Sequence, residues 1–65
     1  MNSYENGTRV VIFDYLGNEI GTGRVRSGDN YPVSNKDWTY VTTTWHGETR
    51  TEAWPTAEMR PTKST

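Results

Sequence analysis

Cysteine is missing from this 65-residue sequence and histidine occurs once, so no disulfide staples the fold and no thiolate can ligate a metal. No apolar run approaches the ~20 residues a membrane helix needs. The opening Met-Asn-Ser-Tyr-Glu-Asn has neither the basic nor the apolar region of a signal peptide. The expectation is a soluble cytoplasmic protein with Met1 as its native start and no membrane partner. Charge of either sign is not in excess: seven Lys and Arg face eight Asp and Glu, for a formal charge of −1 and a pI near 5.7. That balance gives no global pull toward nucleic acid, although it leaves room for a local basic stripe. No segment has the period of an ordinary helix, and no internal repeat is visible.

What is present reads as strands. Thr8–Tyr15 is Thr-Arg-Val-Val-Ile-Phe-Asp-Tyr, with Val10 and Ile12 on one face and Val11, Phe13 and Tyr15 on the other. Leu16-Gly17-Asn18 is a turn, and Glu19–Ser27 continues as a second strand in which Gly21 and Gly23 suit a bend or bulge. Ser27–Asp37 is a long loop full of turn formers, of the kind that carries function on a rigid scaffold. Trp38–Trp54 then reads as a β-hairpin around His46-Gly47. Pro55 ends that ladder, a 3₁₀-type turn follows, and a short last strand lies around Met59 and Arg60.

Two registers are open for the hairpin. A two-residue loop at His46-Gly47 pairs Trp45 with Glu48 and Val41 with Glu52. A three-residue loop starting at Trp45 faces Thr42 with Arg50 and Tyr40 with Glu52, gathering the charges on one side. Charge parity favours the three-residue loop. One small domain is expected, with residues 1–6 fraying, residues 7–61 folded and residues 62–65 a polar tail. A core this small is marginal, so a closed sheet that leaves little edge is expected to support it.

The frame Gly7-Thr-Arg-Val10, Gly17, Gly21-Thr-Gly23 and Val25 resembles the opening of Src-homology-3-like small barrels of the KOW and Tudor kind. Tyr40-Val41, Trp45-His-Gly47-Glu48, Trp54-Pro55 and Glu58-Met59-Arg60 resemble their second half. The resemblance implies an all-β fold: one five-stranded, strongly bent antiparallel barrel with a 3₁₀ turn before the last strand. It implies no particular function.

Catalytic signals are few. His46 has no visible base, nucleophile or metal partner and reads as an exposed turn residue. Glu48, Glu52 and Glu58 read as solvated carboxylates, and no cofactor is expected. The chain is also similar to type II dihydrofolate reductases, tetramers of small barrels whose Val-Gln-Ile-Tyr-Pro would fall on Thr51–Pro55. Glu52 replaces the family's glutamine, and its lysine is missing near Ile12, so the resemblance keeps the scaffold without the binding chemistry. No enzyme is expected.

Three Trp, four Tyr and one Phe are more aromatics than so small a core can hold. Phe13 and one or two tryptophans are assigned to the core. Tyr15, Tyr31, Trp38 and Tyr40 are assigned to a shallow groove where exposed rings could stack bases, cage cations or anchor a partner. Arg24, Arg26 and Arg50, with Lys36 and Arg60, could form a basic stripe among them. The plainer reading pairs those arginines with Glu19, Glu48 and Glu52 across strands. The expected function is a non-enzymatic module that binds a protein partner through the groove. So compact a chain also resembles the small accessory proteins of phages and mobile elements. The alternative is a KOW-like barrel whose arginines contact nucleic-acid phosphates.

Overall fold

The structure, a computed structural model, describes residues 3–28 and 30–62, and of Trp45 the backbone alone. Five strands carry the fold: β1 (Arg9–Phe13), β2 (Glu19–Arg26), β3 (Trp38–Trp45), β4 (Glu48–Pro55) and β5 (Met59–Pro61). One 3₁₀ turn, Thr56–Glu58, precedes β5. All pairings are antiparallel, in the order β4-β3-β2-β1-β5. The sheet curls around its core without closing, so β4 and β5 are both edges.

Period-two alternation decides what is buried. Val10 and Ile12 of β1 turn inward, in register with Val25, Val41 and Met59, and these five make the buried hydrophobic core. Tyr4, Ile20 and Trp54 pack around them. The core is therefore aliphatic. Phe13, expected inside, shares the outer face of β1 with Val11 and is only half-buried. Trp38 is 54% exposed.

Gly21 and Gly23 mark different devices. The partner of β1 jumps from Gly21 at Ile12 to Glu19 at Phe13, so Ile20 is the extra residue of a bulge and turns toward the core. A Cβ on Gly23 would lie 2.5 Å from Val41 Cγ1 and 2.7 Å from the Thr42 carbonyl oxygen, so Gly23 lets β2 and β3 approach over the core.

The hairpin takes the two-residue loop, which corrects the register that charge parity favours. Trp45 faces Glu48, Val41 faces Glu52 and Thr42 faces Thr51. His46 and Gly47 both have positive φ, at 52° and 81°, which is the primed turn whose twist matches flanking strands. Charge parity misleads because Glu48, Arg50 and Glu52 are exposed although they share a face with buried Val41. Beyond Val41 the core-facing side of the hairpin is open to water, so alternation there need not separate polar from apolar.

Buried hydroxyls hold the long loop to the sheet. The Tyr4 N–H donates to Ser34 Oγ at 3.0 Å, and Thr56 Oγ1 donates to the Asn35 carbonyl at 2.6 Å. Those two ends set the direction between them. Thr39 must donate to Thr56 at 2.7 Å, and Ser34 to Thr39 at 2.6 Å, because each hydroxyl has one proton. Tyr4 also donates its hydroxyl to the Met59 carbonyl, so within residues 1–6, expected to fray, Tyr4 is tied to both the loop and β5. Met1, Asn2 and Lys63–Thr65 lie outside the described residues.

Three outcomes follow from this packing. Thr39→Val keeps the shape but strands the Ser34 donor, and should lower unfolding free energy by about 1–3 kcal/mol in denaturant titrations. Gly23→Ala overpacks the β2–β3 approach and should cost ~1–3 kcal/mol by the same measurement. At the β1–β2 turn, the Asn18 N–H, helped by Leu16, holds the exposed Asp14 carboxyl below its ordinary 3.8. The turn's stabilisation is therefore present at neutral pH and is lost as pH falls below 3.8 through the folded value. An NMR titration should find that depressed midpoint at Asp14 and in the Leu16 and Asn18 amides; a midpoint at 3.8 would refute it.

Candidate functional site

Each strand sends alternate side chains to the outer face of the sheet, away from the core. With Val10, Val25 and Val41 inward, Arg9 of β1, Arg24 and Arg26 of β2, and Tyr40 and Thr42 of β3 point outward. Pairing brings them together. Arg9 lies directly opposite Arg24, Arg24 opposite Thr42, and Arg26 opposite Tyr40. Arg60 of β5 joins the same face opposite Val11. A shallow depression of about 640 Å³ runs across this surface, lined by Arg9, Arg24, Arg26, Thr22, Thr42 and Thr44.

Among the described residues no acidic side chain lies directly opposite these arginines or lines the depression. The outward residues of β4 opposite Tyr40, Thr42 and Thr44 are Ala53, Thr51 and Thr49. Thr42 and Thr51 bond through their hydroxyls at 2.7 Å, and Thr44 and Thr49 at 3.2 Å. Glu48 and Glu52 belong to the opposite side of the sheet, so the cross-strand pairing expected for Arg24 and Arg26 does not form. Glu19, opposite Phe13, is at the far end of β2. Among the described residues the ion pairs are Lys36–Asp37 and Glu48–Arg50, both exposed, and neither involves Arg9, Arg24, Arg26 or Arg60. Like charges directly opposite destabilise a sheet. The Arg9–Arg24 pair is thus a local cost that nothing among the described residues offsets.

The predicted aromatics divide by position. Arg26 lies over the Tyr31 ring at 5.3 Å, and Tyr31 meets Tyr40 at 5.7 Å between centroids with planes tilted by 38°. The Gly28–Tyr31 bridge in the long loop supports Tyr31 there. Trp38 lies two residues before Tyr40 on the same side of β3, and Asn35 Oδ1 accepts its backbone N–H at 2.8 Å. Tyr15 is elsewhere. It sits, 86% exposed, on the turn before β2. That turn is roughly 20 Å along β2 from the Arg26 end, at the usual rise per residue. Tyr31, Trp38 and Tyr40 therefore share one end of the outer face, and the four-ring groove is not assembled.

Arg50, grouped in sequence with Arg24 and Arg26, lies on the core-facing side and donates to Glu48 at 3.3 Å. Arg9 belongs to the site in its place. It stands one residue before buried Val10, and only the β1–β2 register reveals it facing Arg24. A second depression, of about 580 Å³, opens on the core-facing side among Ile12, Ile20, Thr43 and Trp54, with Glu48 and Glu52 on its rim. The indole N–H of Trp54 is buried without an acceptor among the described residues. Among the described residues no group of three or more His, Asp or Glu is placed to hold a metal ion. Among the described residues no helix is long and apolar enough to cross a membrane.

Set against protein-family models, curated proteins and solved structures, the chain matches none, and the site stands on its own geometry.

Proposed function

We propose that this chain is a non-enzymatic, nucleic-acid-binding module that uses the outer face of its sheet. The observation that carries the reading is the convergence of Arg9, Arg24 and Arg26 in one depression with no carboxylate among its described lining residues. Phosphates draw their affinity from such unpaired cations. The threonine hydroxyls of Thr22, Thr42 and Thr44 add donors of the kind that position a backbone. At the Arg26 end, Tyr31, Tyr40 and exposed Trp38 offer ring faces for bases. The strand order and the 3₁₀ turn before β5 agree with the resemblance to Src-homology-3-like barrels of the KOW kind, and a cytoplasmic location fits the reading. Net charge argues little against it, because the acidic residues of β4 lie across the sheet from the arginines.

A protein partner is the second reading. It is favoured by two exposed apolar side chains, Trp38 at the start of β3 and Val33, 70% exposed, in the long loop.

Fluorescence anisotropy with labelled oligonucleotides of about 8 nucleotides, long enough for one small barrel, tests the choice. Arg24→Ala and Arg26→Ala should each weaken binding and reduce the slope of log K against log salt by about 0.7–0.9. Arg50→Ala should leave both unchanged. An equal loss from Arg50→Ala, or no binding at low salt, would remove the nucleic-acid reading and turn attention to the Trp38 end.

A further inference from the structure

The β4 edge is long, open and symmetric in its chemistry. Its eight residues, Glu48 to Pro55, pair with β3 on one side only. The direction of its free hydrogen bonds follows by alternation. Val25 bonds toward the β1 side, donating to the Thr8 carbonyl and accepting from the Gly7 N–H. Arg24 and Arg26 therefore bond to Thr42 and Tyr40, Val41 bonds onward to Glu52, and the intervening β4 residues turn outward. The primed turn gives the same result, since its flanking pair, Trp45 and Glu48, exchanges both bonds. Thr49, Thr51 and Ala53 thus direct their N–H and C=O groups to the open edge. Pro55 would be next in that row and has no N–H to give, which limits a further ladder to this stretch.

We propose that this edge pairs with the same edge of a second copy, antiparallel, about a two-fold axis through Thr51. Only certain registers keep each face of the sheet continuous, and charge selects among them. An axis at Arg50 would oppose Arg50 to itself and Glu48 to Glu52, while an axis at Glu52 would oppose two Glu52 carboxylates. An axis at Thr49 places Arg50 against Glu48 but overlaps only three strand residues. With the axis at Thr51, Thr51 meets Thr51, Thr49 meets Ala53, and Arg50 of each copy meets Glu52 of the other. Thr49, Thr51 and Ala53 then form the hydrogen-bonded pairs their direction requires. Arg50 and Glu52 fall in the non-bonded pairs, where side chains approach most closely. Glu52 has no ion-pair partner within the described chain, and the second copy supplies one. The same register carries Glu48 of one copy to Trp54 of the other, beside the core-facing depression. The product is a closed two-fold dimer, with no free β4 edge left to propagate.

Sedimentation equilibrium and amide hydrogen exchange test this without reference to any ligand. The mass should rise from one chain to two with concentration. In the dimer the Thr49, Thr51 and Ala53 amides should slow at least tenfold relative to the dilute protein. Arg50→Glu and Glu52→Arg each oppose like charges twice across the axis, and should raise the dimer dissociation constant ~10-fold or more while leaving the circular dichroism spectrum native. The double variant Arg50→Glu/Glu52→Arg restores both attractions and should recover the dimer. A single-chain mass up to millimolar concentration would overturn the proposal. So would a dimer whose Thr51 amide exchanges freely, or a double variant no tighter than either single one.

Discussion

The inward direction of Val41 is the constraint on which both faces of this protein depend. Burying that one side chain commits every residue of β3 and, through the His46-Gly47 turn, every residue of β4 to a side. A one-residue slip would exchange the faces. It would place Glu48, Arg50 and Glu52 beside Arg24 and Arg26, and the basic surface would become an ordinary lattice of surface ion pairs. The turn is thus more than a connection. The left-handed conformations of His46 and Gly47 fix the register that keeps Glu48 and Glu52 off the face of Arg24 and Arg26, and the outer site depends on that separation.

The core that enforces this register is small. Five aliphatic side chains and a few partners at their margin would leave a long, unsupported loop over one end. Buried polar groups do the remaining work. The run from the Tyr4 N–H through Ser34, Thr39 and Thr56 to the Asn35 carbonyl joins the N-terminal segment, the loop, β3 and the 3₁₀ turn. Every hydroxyl in it donates once and accepts once, so no buried donor in the run is stranded, as a stable polar interior requires. The same anchor sets where Tyr31 and Trp38 emerge, which links stability at this end to the aromatic part of the site.

Local chemistry made the strands legible in the sequence. Val-Val-Ile-Phe, the glycine-marked turns and Pro55 carry signals that need no tertiary context, and the bounds of all five strands follow them closely. The faces were less legible, because they depend on which of two alternating sets is buried. In β1 both sets are apolar, and size alone favours Phe13 as the buried side chain. Val10 and Ile12 win because they are the set in register with Val25 and Val41. In the hairpin, charge served as a proxy for exposure, and it fails where a strand overhangs the core. Arg9 was missed for a related reason. Its significance lies in facing Arg24, and a cross-strand neighbour 15 positions away has no local trace.

A net charge near zero therefore says little about this surface. The acidic and basic residues of β2 and β4 nearly cancel in the sum, yet the sheet between them places Arg24 and Arg26 on one side and Glu48 and Glu52 on the other. Over the distance between the two faces, salt screens much of what one side would feel of the other. Under the proposed function, a phosphate would approach Arg9, Arg24 and Arg26 on the outer face, with Glu48 and Glu52 on the other side of the sheet. The facing Arg9–Arg24 pair sharpens the argument. Cations at directly opposite positions of a sheet disfavour one another, and under the proposed function an anion between Arg9 and Arg24 would relieve that as well as adding its own attraction. Under the proposed function, phosphate binding would be favoured on both counts, because the β1–β2 register puts Arg9 opposite Arg24.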